Sequence, residues 1–419
     1  MQSKKELNDN AEYRNSMHVW MFEPKIDGLH VLSLQGMENI ANHKYKSGEY
    51  THLDNFLNPY WSYLTELLPM WLAPNMVTTI GGLHCAFSYS LLWYHSRNMA
   101  EIVPSWVILV SAWCSFVYYT FDCMDGKQAR RTGQSSPLGQ LFDHGFDCIC
   151  TLSHISCCTG FAAIALGYDA KFFFLLQCSL QFAFFMAQWE EYYTHVLPHA
   201  AGKWLGVTEV NYGIALLTLS NAFIDREAFW HSTLESFLPA AFHVEFMKPF
   251  ISLHVVHACI TIWGAATVAM ISMSFLRVYT HKDMSNKDFF SAVTKLISPL
   301  ALVIATFMLP GTVLTLYTRE ISLTVGLMFC LITNKMIVFS MAKMAYASVQ
   351  ISIIPYVLFS IWIKYDPNFS NLRYKLLVIA LWHLVCLLFW CKVAINQICA
   401  RLDINCFTIK KKHNDKKGK

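Results

Sequence analysis

The chain has 419 residues, of which 55% are hydrophobic and only 14% charged, and its mean hydropathy is +0.35. A soluble domain carries about 25% charged residues, so this composition excludes an ordinary water-soluble enzyme. A formal net charge of +4 excludes a nucleic-acid partner and charge-driven disorder.

In chain order, residues 1–53 read as a polar cytosolic tail with no signal peptide. In residues 54–72, Phe56, Leu57, Tyr60, Trp61, Leu64, Leu67, Leu68 and Trp71 recur at helical spacing. That stripe predicts an amphipathic helix lying in the cytosolic membrane interface. Ten apolar runs follow, each near the length of about 20 residues that a transmembrane helix needs. They are 75–94, 104–121, 141–167, 171–190, 209–225, 250–276, 297–316, 320–340, 346–363 and 376–397, and residues 401–419 form a basic tail. The predicted fold class is all-α and polytopic.

Charge placement orients these spans. The two tails and the loops on their side hold 22 of the Lys and Arg residues, against 8 on the opposite side. The positive-inside rule puts both termini in the cytosol. None of the 14 Cys falls in a loop assigned to the far side, so no disulfide is expected, and pairs such as Cys157–Cys158 read as small apolar packing residues. Asn368-Phe369-Ser370 is a glycosylation sequon on that far side. Lys335 and Lys392 lie inside spans, where they must snorkel or pair. His84, His154, His254, His257 and His383 read as packed, hydrogen-bonded residues.

The remaining charge is concentrated between the second and third spans. Asp122 and Asp125 close one apolar run, and Asp143 and Asp147 open the next. At spacings of three and four, each pair shares a helix face. Ser136-Pro137 reads as the start of the third helix. Antiparallel helices then turn all four carboxylates toward one cavity. Acids at membrane depth cost at least about 2.5–3.5 kcal/mol each and mark function. Two divalent cations would balance them; Mg²⁺ suits all-oxygen ligands and leaves room for phosphate, with Mn²⁺ an alternative. Lys127, Arg130 and Arg131 supply cations for phosphate oxygens, while Gly126, Gly139 and Gly145 leave space for close approach.

The full spacing Asp-x2-Asp-Gly-x2-Ala-Arg-x8-Gly-x3-Asp-x3-Asp is filled by Asp122, Asp125, Gly126, Ala129, Arg130, Gly139, Asp143 and Asp147. It resembles the signature of the CDP-alcohol phosphotransferase family. The stretch Asp125 to Asp147 and the Pro74-Asn75 start of the first span are similar to the eukaryotic choline/ethanolamine phosphotransferase branch. The resemblance implies metal ligation by Asp122, Asp125, Asp143 and Asp147. It also implies substrate contacts at Asn75, Asp122, Gly126, Lys127, Ala129, Arg130 and Gly139, in a catalytic core of about residues 73–230 within a membrane domain 54–400. The implied substrates are CDP-choline or CDP-ethanolamine and membrane diacylglycerol, and a homodimer is implied as well.

Such a transfer needs a base for the lipid hydroxyl. Asp147 is one candidate; His144 is the other, because an imidazole titrates near neutrality and a carboxylate on metal is a weak base. Val207-Thr208-Glu209-Val210 resembles a string whose Glu pairs with this His, so Glu209 is expected to orient His144. Trp189, Glu190, Glu191, Tyr192 and Tyr193 could hold a quaternary ammonium or belong to an interfacial aromatic belt.

Two other functions fit less well. A transporter would spread its polar residues across several spans, and a CDP-diacylglycerol-using branch would differ around Asp-His-Gly-x-Asp. Lys416 and Lys417 near the end, in Lys-Lys-Gly-Lys, match a dilysine signal for the endoplasmic reticulum, with the Golgi as an alternative address.

Overall fold

The structure is a computed structural model that describes residues 29–410 except 47, 164–166, 201 and 366–369, together with 19, 21, 23 and 26. The sequon at Asn368 and the dilysine at Lys416 and Lys417 lie outside the described residues, as do the side chains of Cys157 and Cys158.

The chain is all-α. Two short amphipathic helices, α1 (Leu34–Ala41) and α2 (His52–Leu67), precede the long ones. α2 is started by a capping box in which Thr51 Oγ1 accepts from Asp54 N and Asp54 Oδ2 accepts from Thr51 N. Its apolar stripe divides in two. Trp61 is buried and donates to the Tyr212 hydroxyl, and Leu64 and Leu68 pack on Val77 and Met124. Phe56, Tyr60, Leu67 and Trp71 face outward.

The antiparallel pair α3 (Pro74–His95) and α4 (Ser105–Arg131) comes next, followed by α5 (Pro137–Ala163) and α6 (Ala170–Thr194). α7 (Val207–Ser220) and the short α8 (Arg226–His231) and α9 (Lys248–Ile251) lead to α10 (Val255–Tyr279). The remainder is α11 (Asn286–Thr294), α12 (Ile297–Phe307), α13 (Gly311–Leu316), α14 (Thr318–Ala342), α15 (Ile354–Tyr365) and α16 (Leu372–Leu402).

Among the described residues six helical stretches are long and apolar enough to cross a membrane: α4, α6, α10, α11 with α12, α14 and α16. The first and third runs also form single helices, α3 and α5, whereas the fifth, seventh and ninth depart from the expected spans for local reasons. α7 has 14 residues, about 21 Å at 1.5 Å per residue, short of the hydrocarbon thickness. The seventh run is broken at Pro310, which has no N–H to continue a helix, so it begins earlier at Asn286 and ends at Phe307. The ninth starts late: Lys343 takes a left-handed conformation (φ 52°) and the chain runs without helix to a tight turn at Ile351–Ile353.

Burial separates centre from periphery. In α14 the most apolar stretch is 83% buried, against 11% in α10, so α14 is the axis and α10 presents itself to lipid. α14 packs on α5, α6 and α16. Gly145 lets α5 approach closely, since a Cβ there would lie 2.6 Å from Asn334 Oδ1. Lys335 pairs with Glu23 at 3.3 Å and also donates to Gln350. His84, His154 and His383 bond to Ile80 O, Ser115 Oγ, and Ile379 O and Ser352 O, the packed roles expected of them. This framework holds α4 and α5 antiparallel, with their polar ends at one side.

Candidate active site

α4 continues helical for ten residues past the expected end of its span, carrying Asp122 and Asp125 through to Arg131. The reversal uses Gly133 at φ +66°, and α5 begins at Pro137 as its sequence anticipates. Asp122, Asp143 and Asp147 thereby converge: each offers a carboxylate oxygen, and these atoms lie within 4.8 Å of one another. Asp125 is buried beside them and accepts from Thr78 Oγ1 of α3. Tyr118, one turn before Asp122, donates to Asp147 Oδ1 at 2.8 Å.

Four carboxylates packed together in a protein interior repel unless a cation joins them. Asp122 Oδ1 is buried and meets no hydrogen-bond donor among the described residues. An orphaned carboxylate oxygen facing two further carboxylates is a donor set suited to a hard divalent cation.

His144 is buried next to this cluster. Its Nε2 lies 3.7 Å from Asp143 Oδ2, and its Nδ1 has no hydrogen-bond partner among the described residues. Glu209, expected to orient this ring, accepts instead from the backbone N of Gly206 at 2.9 Å, capping the first turn of α7. The ring that approaches His144 is Tyr45, with centroids 6.0 Å apart.

Two cavities meet here. One of about 300 Å³ is lined by Asn75, Gly126, Ala129, Arg130 and Gly139, five of the seven residues the sequence nominated for substrate contact, together with Asp125. A Cβ on Gly139 would meet no atom within 4 Å, and one on Gly126 would meet only Arg130 Nη1 at 3.7 Å, so both open onto free space. A second cavity, of about 510 Å³, reaches Asp122, Asp147 and Lys127, and shares Tyr45, Arg130, Asp143 and His144 with the first.

The three nominated cations separate in role. Arg130 lines both cavities. Lys127 donates to Asn58 Oδ1 and, at 3.2 Å, to Ser62 Oγ of α2. Arg131 faces away from the acids altogether. It binds the terminal carbonyls of α2, Leu68 O at 2.7 Å and Glu66 O at 3.1 Å, and pairs with Glu66 at 3.0 Å. Cations at a helix C-terminus satisfy its last carbonyls.

The aromatic and acidic cluster of α6 also resolves differently. Trp189 is buried and donates to Ala292 O, Glu190 is locked to Arg277, and Glu191 accepts from Gln140. No Trp189 ring faces either cavity. Residues from outside the motif do. His43 bonds to Gln140 at 2.8 Å, and the Tyr45 hydroxyl bonds to His199 Nε2 at 2.7 Å. Burial holds the His43 and His199 imidazoles below their usual value. Burial, then the charge of Asp143, pushes the Tyr45 phenol up. Neither segment carries a motif, so no local signal could have nominated them.

A third, apolar cavity of about 140 Å³ lies between α6, α7 and α10, lined by Ala266, Thr267 and Met270, and it extends to Asp147. The site therefore has a polar approach and an apolar approach that meet at the carboxylates.

Comparison with known proteins agrees with the motif. A sequence model of the family described as CDP-alcohol phosphatidyltransferase matches residues 71–238. An uncharacterized CDP-alcohol phosphatidyltransferase class-I family protein 3 of Dictyostelium discoideum is 30% identical over 408 residues, covering 91% of this chain and 99% of that protein. Cholinephosphotransferase 1 of Gallus gallus is 39% identical over 196 residues, 46% of this chain and 56% of that protein. Ethanolaminephosphotransferase 1 of Homo sapiens is 28% identical over 328 residues, 75% of this chain and 79% of that protein. With the match to the Dictyostelium protein running nearly end to end, the chain belongs to the CDP-alcohol phosphatidyltransferase family and is a helical membrane enzyme.

Proposed function

We propose that the protein transfers phosphocholine or phosphoethanolamine from the corresponding CDP-alcohol to diacylglycerol, releasing CMP. The observation that carries this reading is the meeting of a polar cavity and an apolar one at the acidic cluster. A water-soluble donor and a lipid acceptor need separate approaches to one reacting phosphorus, and few other chemistries do.

In this reading the donor lies along Gly126, Ala129, Arg130 and Gly139, with Asn75 at the nucleotide and Arg130 beside the pyrophosphate. Asp122, Asp125, Asp143 and Asp147 would hold two Mg²⁺ ions, with Mn²⁺ as a substitute. Such ions neutralise charge on the transferring and leaving oxygens. The diacylglycerol hydroxyl arrives past Ala266 and Met270 and attacks the β-phosphorus. A new O–P bond forms, the bond to the CMP oxygen breaks, and the electron pair leaves with CMP. His144 takes the hydroxyl proton, its Nδ1 being without another partner. Glu209 acts on the reaction at one remove, by fixing the first turn of α7, whose Val207 and Thr208 wall the larger cavity. The charge distribution supports cytosolic termini, the dilysine at Lys416 and Lys417 an endoplasmic reticulum address, and the resemblance a homodimer.

The test is an assay of purified protein with labelled CDP-choline and CDP-ethanolamine, each with diacylglycerol, in Mg²⁺ and in EDTA. Lipid product with at least one donor, abolished by EDTA, is expected. No CMP release from either donor, or release indifferent to EDTA, would sink the reading. For the base, His144→Ala is expected to lower kcat by roughly 10²–10⁴-fold; near wild-type turnover would return the role to Asp147.

A further inference from the structure

The donor cavity is flanked by chain that returns from the far end of the sequence. α16 stops at Leu402, and Asp403 takes a left-handed conformation with φ 52°. Lys410 Nζ reaches back to the Asp403 carboxylate at 2.5 Å, tying off the reversal. Within this strap, Ile404 to Lys410, the Cys406 carbonyl accepts from Asn75 Nδ2 at 2.9 Å. Phe407 packs edge-on against Phe142, the neighbour of Asp143, with ring centroids 5.5 Å apart. The strap thus touches the first turn of α3 and the face of α5 beside the cavity, and Asn75 is buried between strap and cavity.

A backbone carbonyl only accepts, so the NH₂ of the Asn75 carboxamide must face Cys406. This fixes which way the amide is turned. Nδ2 also lies 3.7 Å from Cys406 Sγ, which takes its second N–H toward the strap, so the group the side chain can turn to the cavity is Oδ1, an acceptor. A nucleobase edge with an exocyclic amine complements an acceptor, whereas a base with a carbonyl there meets it lone pair against lone pair. Released from the strap, the same amide could rotate and greet either edge.

We propose that the strap is part of the donor site and positions Asn75 so that its Oδ1 favours a cytosine amine over a uracil carbonyl. This rests on the reading of the site as a CDP-alcohol phosphotransferase and adds a positioning element to it. The main carrier of the effect is the backbone carbonyl of Cys406, and its Sγ, 3.7 Å from the same Nδ2, adds a weaker contact.

The test uses full-length protein in lipid nanodiscs, a chain ending at Asp403, Phe407→Ala and Asn75→Asp, assayed with a CDP-alcohol and the matching synthetic UDP-alcohol. Ending the chain at Asp403 is expected to raise the CDP-donor KM roughly five- to tenfold, the worth of one neutral hydrogen bond, with kcat changed less than about twofold. The CDP-over-UDP preference falls by a similar factor. Phe407→Ala moves both quantities the same way at native length, which keeps the idea testable if the shortened chain does not fold. Asn75→Asp preserves the shape but cannot donate to Cys406, so it raises KM as well, and shortening the chain on top of it adds nothing.

Unchanged KM and preference in the shortened chain and in Phe407→Ala would overturn the proposal. A fall in KM would make the strap an obstruction and overturn it equally, as would loss of kcat with KM intact. A wild-type protein that turned over no CDP-alcohol would defeat the reading of the site instead. Binding of CMP against UMP, followed by thermal shift, then decides the strap's role without turnover.

Discussion

Tyr118 and Asp147 sit on neighbouring antiparallel helices, and the buried phenol of one donates to the carboxylate of the other at 2.8 Å. The bond takes up one oxygen of Asp147 and holds the carboxylate turned toward Asp122 and Asp143. Partners that orient metal-binding groups typically carry a 10- to 100-fold effect on metal affinity. Tyr118→Phe is therefore expected to raise the Mg²⁺ concentration for half-maximal turnover about tenfold, with kcat at saturating Mg²⁺ near the wild-type value. A Mg²⁺ titration of activity checks this, and an unshifted midpoint would show that Asp147 holds its orientation unaided.

The acidic cluster sets stability against function. Without a cation, Asp122, Asp125, Asp143 and Asp147 repel across a few ångströms of protein interior. Asp143→Asn is expected to lower turnover by roughly 10³-fold or more. The same change should raise the thermal midpoint of EDTA-treated protein, at about 1 °C for each kcal/mol of repulsion removed in a chain of 419 residues. Thermal unfolding of both proteins in EDTA and in Mg²⁺ measures it. Wild type should gain more from Mg²⁺ than the variant does; equal gains would place the cation elsewhere.

The apolar cavity offers a separation of substrates. Ala266 lines it and none of the carboxylates depends on it. Ala266→Trp puts an indole into a space of about 140 Å³. The expected result is a KM for diacylglycerol raised about tenfold, with the CDP-alcohol KM unchanged, which marks lost binding of one substrate only. Equal shifts in both constants would argue that the acceptor arrives by another route.

His199 supplies a pH dependence. Its imidazole is held below its usual value by burial, and its Nε2 is engaged by the Tyr45 hydroxyl. As pH falls below about 6.5 the unfolded chain takes up a proton that the folded chain refuses, so stability declines through that window and is full above it. His199→Gln keeps a hydrogen-bonding side chain without titrating. Its thermal midpoint should fall less than that of wild type between pH 7 and pH 5, and parallel curves would refute the assignment.

Much of the site was legible because its parts are local. Asp122 and Asp125 are three residues apart, Asp143 and Asp147 four apart, and helical periodicity alone puts each pair on one face. Antiparallel packing then follows from the short turn at Gly133. What stayed hidden depends on contacts distant in sequence. Glu209 looked like a partner for His144, but a Glu at the third position of a helix satisfies its own N-terminus first. Arg131 looked like a phosphate ligand, yet the open carbonyls of α2 claim it. Trp189 looked interfacial, and its indole found a carbonyl in a segment 103 residues away. Tyr45 and His199 come from stretches with no motif, and only the fold brings them to the cavity. For the spans, hydropathy located each apolar run, while Pro310 and the left-handed Lys343 decided where helix could exist.

The clasp of Arg131 and Lys127 on α2 has a mechanical meaning. Phe56, Tyr60 and Leu67, with Trp71 just beyond its end, leave one side of that helix apolar and uncovered, suited to rest among lipid headgroups. Its other side is bolted, through Asn58, Ser62 and its terminal carbonyls, to Lys127 and Arg131 in the last turns of α4, directly after Asp122 and Asp125. A float and the catalytic floor are thus one rigid lever. Lateral pressure in the leaflet that holds α2 would be transmitted to the carboxylates through these contacts.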